Sequence, residues 1–283
     1  MSELFYDAAL SRWLLRPSTG GSTAGTDLTT WDSRPLVGNS AGDLGVGPNG
    51  SLYRWSSVLN EWITAWIYDL GGTFVLDCKI DGDTIPGAET PAWDESPIQP
   101  NAITTDGTHV IFDTSGTDPA TDPGSNYAFY DHGQEDKNHF MVGYVSSTAT
   151  DTGSGFNFQR FQVRTKSRNV LADIAGVETS TNICLMDSAS GSADETGYRL
   201  QNVAMTTEKW VELYVLPDDS TTYLNEPTGA EGLVYLYADH KLVAIGKLED
   251  FGATTDDRYI IGDANGNVRA LTKVRNIKCG RWA

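Results

Sequence analysis

The chain has 283 residues, 39% of them hydrophobic and 20% charged, and a formal charge of -18. So acidic a surface argues against a nucleic-acid partner, because phosphate contacts need basic residues. No apolar run approaches the roughly 20 residues that span a bilayer, and the four histidines do not pair at the spacing a zinc site needs, so neither membrane insertion nor zinc is expected.

Residues 1–16 read either as a short helix stopped by Pro17 or as an extended strand. They lack the basic start and small-residue cleavage site of an export signal, so synthesis in a cytoplasm, with no exit by that route, is expected. Residues 17–30, PSTGGSTAGTDLTT, have almost no apolar content and read as a linker or exposed loop. In 41–66, Pro48-Asn49-Gly50 is a turn, since Asn-Gly accepts positive φ. Leu52 to Trp55 then alternates, and after a second turn Trp62, Thr64 and Trp66 alternate with Ile63, Ala65 and Ile67. This aromatic-rich unit is either a hairpin packed on the main domain or a separate adaptor.

From residue 70 on, apolar alternation of period two recurs at short intervals: FVLDCKI, HVIFDTS, SNYAFYDH, HFMVGYVSST, FNFQRFQVRT, NVLADIAG, TNICLMDS and YRLQNV. Many short strands with no helix between them predict an all-β sandwich. The pattern is strongest over 210–279. Val211, Leu213 and Val215 alternate with Glu212, Tyr214 and Leu216, and Asp239-His240 forms a hairpin turn. In the last strand, Val268, Ala270, Thr272, Val274 and Asn276 are expected on one face, with Leu271, Lys273, Arg275, Ile277 and Cys279 on the other.

The order of a Trp-led strand, a Tyr-x-Tyr-x-Asp-x-x-x-Val hairpin, an Ile-Gly pair and a closing Val-Arg-x-Ile strand resembles the C-terminal half of concanavalin A-like jelly rolls of the laminin-G and lectin type. That family usually has Gly after the hairpin Asp, where this chain has His240. The resemblance implies a jelly-roll sandwich over 70–283 whose first strand lies beside its last, which places Cys78 opposite Cys279. Buried thiols are expected there, in a chain made in a reducing compartment. The Gly-Asp-Leu, Gly-x-Leu-Tyr-x-Trp and Asn-x-Trp order of residues 41–66 is similar to a short module in phage tail and head fibres. It implies an adaptor segment over 1–69.

Three kinds of site are open. Acidic turns at Asp81 and Asp83, Asp118 and Asp122, Asp218-Asp219 and Asp256-Asp257 have the oxygen chemistry of calcium but no EF-hand spacing, and for any one pair a solvated turn is the favoured reading. Aromatics near carboxylates suit a glycan, which stacks its apolar face on a ring and offers its hydroxyls to carboxylates. Trp93, Asp94 and Glu95 in a Pro-rich loop, with Tyr130 and His132, are the expected glycan-binding residues. Tyr127 and Tyr198 belong to the same set, although Tyr127 and Phe129 also fit a strand's core. Catalysis finds little support. The Glu-x-Asp-x-x-Glu run of jelly-roll hydrolases is absent, and no Gln-x-His accompanies the basic RFQVRTKSR, as it does in jelly-roll lyases.

The expected function is therefore a non-enzymatic virion structural protein: a phage fibre, spike or head decoration whose lectin-like sandwich contacts host surface glycans. It would sit on the virion surface as a homo-oligomer, joined to other virion proteins through its N-terminal segment. A polysaccharide lyase or hydrolase, and a capsid-cementing protein with no ligand, are the alternatives.

Overall fold

Alternating apolar residues across the chain form twenty-two strands in a computed structural model describing residues 3–7, 12–16, 25–96, 103–113, 126–133, 137–152, 159–165, 168–173, 182–187, 194–216, 232–251, 254, 256–263 and 268–282. An N-terminal hairpin comprises β1 (Glu3–Asp7) and β2 (Arg12–Arg16), so the extended reading of this stretch holds. A small module follows: β3 (Thr26–Asp27), β4 (Leu44–Val46), β5 (Leu52–Ser56), β6 (Glu61–Thr64) and the helix α1 (Ala65–Asp69). The remaining strands are β7 (Phe74–Ile80), β8 (Asp94–Ser96), β9 (Ile103–Thr105), β10 (Val110–Asp113), β11 (Tyr127–Asp131), β12 (Asn138–Thr152), β13 (Gln159–Thr165) and β14 (Arg168–Asp173). After them come β15 (Cys184–Asp187), β16 (Asp194–Glu195), β17 (Tyr198–Arg199), β18 (Lys209–Leu216), β19 (Leu233–Ala238), β20 (Lys241–Lys247), β21 (Arg258–Asp263) and β22 (Val268–Trp282).

The later strands make two antiparallel sheets, the sandwich that the jelly-roll resemblance implies. One sheet runs β17-β20-β19-β18-β12-β22-β10-β9, with β7 also on β22; the other runs β16-β15-β14-β13-β21-β11-β8. The long β22 serves two partners along one edge, β10 against Leu271–Val274 and β7 against Ile277–Trp282. The first sandwich strand thus lies beside the last, with Cys78 opposite Cys279. Val211, Leu213, Val215, Val234 and Leu236 from one sheet and Phe161, Val163, Val170 and Ile261 from the other are fully buried between them. β12 and β13, adjacent in sequence, lie in different sheets.

The expected alternation fails in β22. Asn276 adopts φ 51 in a bulge opposite Gly143, and Val274 and Ile277 both reach the core although they are three residues apart. Gly143 is required by proximity, since a Cβ there would lie 2.5 Å from Ile277 Cδ1.

The outer face of the nine-stranded sheet is not solvated. Phe140, Val142, Tyr144, Trp210, Tyr214, Leu216 and Trp282 form a second core with Leu28, Trp31, Tyr53, Trp55, Trp62 and Ile67 of the module. Residues 25–69 are therefore bound to the sandwich by burial; Leu28, in the stretch read as linker, is fully buried. Trp66, expected in a strand, lies in α1, because the strand ends at Thr64.

A buried ion pair crosses this layer. Arg34 donates to both carboxylate oxygens of Glu61 at 2.8 Å and to the Tyr144 hydroxyl at 2.9 Å. Its guanidinium lies 4.6 Å from the Trp31 ring centre and 4.8 Å from that of Trp210. Lys278 of β22 also reaches Glu61, at 3.0 Å.

Candidate glycan-binding face

The residues expected to bind glycan do not share a surface. Trp93 is 3% exposed and belongs to the sandwich core; its indole N–H donates to the Lys79 carbonyl at 2.9 Å. Both faces of its ring are thus lost to a sugar, because the β8–β11 pairing draws the loop end onto the core. Asp94 is exposed beside it, and Glu95 accepts the Gly87 N–H at 2.7 Å. Tyr130 packs on the core from the inner face of β11. His132 is buried and donates to the Arg164 carbonyl at 2.9 Å, with the His139 and Tyr259 rings 4.4 and 4.6 Å away. Burial lowers its pKa. Tyr198, 76% exposed, stands on the far edge of the other sheet. Asp118, Asp122, Asp218 and Asp219 lie outside the described residues. Among the described residues, no three His, Cys, Asp or Glu gather at metal-binding distance.

A cleft of about 280 Å³ opens where the module meets β19, lined by Leu52, Tyr53, Thr64, Trp66, Tyr237 and His240. Its polar groups are already occupied. Tyr53 Oη is 2.7 Å from His240 Nδ1, Thr64 donates to Glu212 at 2.7 Å, and Trp66 donates to the Tyr237 hydroxyl at 2.7 Å. Burial raises the pKa of Glu212, a rise opposed by hydroxyls that include Tyr214 and Thr64. Burial likewise lowers His240 to about 4. The arrangement explains the residue that departs from the family pattern. Asp239 and His240 make the hairpin turn with φ 52 and 63, and the imidazole that replaces Gly reaches into the module. This is a docking lock, with few free groups for a sugar's hydroxyls.

The outer face of the seven-stranded sheet has different chemistry. Strand register places Asp94, Phe129, Ile260, Gln162 and Leu171 in one row across five strands. The adjacent row is Asp131, Arg258, Arg164 and Asn169. Phe129 and Tyr127 are half-buried, their ring centres 5.9 Å apart, and the Arg258 guanidinium lies 4.3 Å from the Phe129 centre. Arg164 bonds both oxygens of Asp256, at 3.0 and 3.2 Å, and Arg258 bridges Asp131 and Asp256. Burial alone would raise Asp256, but Thr254, Arg164 and Arg258 outweigh it and hold its carboxyl below the usual range. Gln162 is 1% exposed; its amide donates to Asn169, while its Oε1 and the Arg164 Nε have no partner among the described residues. Unpaired buried polar atoms are uncommon and point to a missing partner. Rings, oriented carboxylates, guanidinium groups and an unspent amide are together what a sugar's apolar face and hydroxyls need.

Sequence reasoning named Asp94 and Tyr127 but missed Phe129, Arg164 and Arg258, because the residues of this face come from separate strands. The signal was the alternation of Arg160, Gln162 and Arg164 with Phe161 and Val163, which marks a polar face on an inner strand.

No family model and no curated protein matches the chain. Solved structures do. The carbohydrate recognition domain of Emp47p is 9% identical with a TM-score of 0.47, covering 74% of this chain and 97% of that one. An endo-1,3-beta-glucanase from Streptomyces sioyaensis is 8% identical with a TM-score of 0.48, covering 73% and 96%. An alginate lyase from a Chlorella virus is 10% identical with a TM-score of 0.42, covering 73% and 99%.

Proposed function

We propose that this chain is a non-enzymatic carbohydrate-binding protein whose sandwich contacts a surface glycan through the outer face of its seven-stranded sheet. One observation carries the reading: Tyr127 and Phe129 lie half-buried on one face, with the Arg258 guanidinium over the Phe129 ring and Asp131 paired to it at the exposed end of the strand. The opposite sheet's outer face is covered by the module, whereas on this one Asp94 and Asp131 are exposed and Tyr127 and Phe129 half-buried.

The finer reading is an appendage of a virus particle, at its surface, joined to other virion proteins through the N-terminal segment. It rests on the residue order of 41–66. Its test is whether the protein co-purifies with particles at a fixed copy number.

Glycan binding is tested on an array with wild type and with the Tyr127→Ala, Phe129→Ala double variant. Loss of the wild-type hits with an unchanged melting temperature supports the reading. Full retention moves the site elsewhere. Cleavage of a bound glycan, seen as new reducing ends or unsaturated products, would replace the non-enzymatic reading with that of a lyase or hydrolase.

A further inference from the structure

Two of the three cysteines face each other across one strand pair. β7 and β22 place Cys78 directly opposite Cys279, and both side chains are fully buried in the sandwich core as thiols. Opposed residues of an antiparallel pair have Cα atoms roughly 4.5–5.5 Å apart, within the range that a disulfide spans. The Cys78 thiol is close enough to that of Cys279 for a hydrogen bond between them. Cys184 lies in β15, in the other sheet.

The place of this pair in the chain gives a bond between them its effect. Among the described strands, β7 pairs only with β22. β7 is the first strand of the sandwich and β22 the last, so every other sandwich strand lies between them in sequence. A bond from Cys78 to Cys279 closes a loop of roughly 200 residues, and closing a long loop removes much of the unfolded chain's freedom. It also clamps the strand that joins the module to the sandwich, since α1 ends at Asp69 and β7 begins at Phe74. Closure removes two hydrogens and draws the sulfurs together, so it adds no volume to a packed core.

We propose that Cys78 and Cys279 are a redox-closing pair: thiols when the chain folds in a reducing medium, and a disulfide clamping the first sandwich strand to the last when it folds in an oxidising one. The oxidant is a small-molecule disulfide. The thiolate of one cysteine attacks it, forms a mixed disulfide and releases one small thiol. The thiolate of the other cysteine then attacks the protein sulfur of that mixed disulfide, closes the protein bond and releases the second small thiol. The two cysteine sulfurs are oxidised, the small disulfide is reduced, and the two protons lost by the cysteines end on the released thiols. The exchange takes place on the unfolded chain, because folding buries both sulfurs.

The test is refolding of the full chain from urea in mixtures of reduced and oxidised glutathione, followed by alkylation of the remaining thiols and peptide mapping. Pairing that ignored the fold would favour Cys184, which is nearer in sequence to each of the others than they are to one another. The expected result is instead a Cys78–Cys279 linkage with Cys184 alkylated. The linked form should melt roughly 5–15 °C above the reduced one, and a reductant should return it to the reduced value. Cys184→Ser should show the same linkage and the same rise. Protein exported to a bacterial periplasm and trapped with the same reagent gives the readout without a refolding step. No bond between Cys78 and Cys279, a linkage to Cys184 in equal or greater yield, or a linked form that melts no higher than the reduced one would each overturn the inference.

Discussion

Arg34→Met removes one half of the buried ion pair that ties the module to the sandwich. Glu61 is fully buried and loses two charge-assisted hydrogen bonds of 2.8 Å. It keeps Lys278 at 3.0 Å and the Trp62 N–H at 3.0 Å. Breaking a buried pair costs about 3–5 kcal/mol, and the remaining lysine places this one near 3. For a chain of this size that lowers the melting temperature by roughly 6–10 °C.

The pH dependence gives a second, sharper check. Burial would raise Glu61, but Arg34 and Lys278 outweigh it and hold its pKa below 4.5. In wild type the carboxylate's contribution is present above that value and is lost as pH falls through the depressed one. In the variant the carboxyl's pKa rises and it can take up a proton, so the deficit should be largest at neutral pH and shrink toward pH 4. Urea denaturation at both pH values, followed by tryptophan fluorescence, measures this. The Arg34→Met, Glu61→Met double variant should recover most of the loss, since no lone charge remains buried between those two positions. A single-variant loss under about 1 kcal/mol, the range of exposed pairs, would refute the reasoning. So would a deficit independent of pH.

Three further outcomes follow from the same structure. Trp93→Ala should cost about 3–5 kcal/mol in denaturation, as a core truncation does, and a stable, soluble variant would contradict the burial of that ring. His240, lowered to about 4, is neutral in the fold while the unfolded chain titrates near 6.5. Its contribution is therefore full above pH 6.5 and drains away down to pH 4, roughly 3 kcal/mol in all; His240→Asn, which keeps the left-handed turn, should flatten that part of the stability curve. Cys78 and Cys279 are both fully buried, and burial pushes the Cys78 thiol up. A thiol reagent should leave both untouched in native protein and label both in urea, and rapid native labelling would show that this edge of the sheet opens.

Much of the fold was legible in the residue order. Period-two alternation identified the strands, and Pro48-Asn49-Gly50 and Asp239-His240 announced turns whose positive φ values the structure bears out. The Cys78–Cys279 register followed from the jelly-roll resemblance and stands. These features are local, or belong to one strand pair, so a linear pattern can carry them.

Only the tertiary structure decided which faces are buried and by what. Alternation says that Val211 and Glu212 point oppositely; it does not say that the Glu212 side meets Tyr53 and Thr64 instead of water. Trp93 looked exposed because its neighbours in sequence are polar, but burial depends on neighbours in space, and β8 brings it onto the core. The candidate glycan face has the same origin. Asp94, Phe129, Arg164 and Arg258 are far apart along the chain, and their chemistry becomes one surface only because antiparallel register lines up their strands.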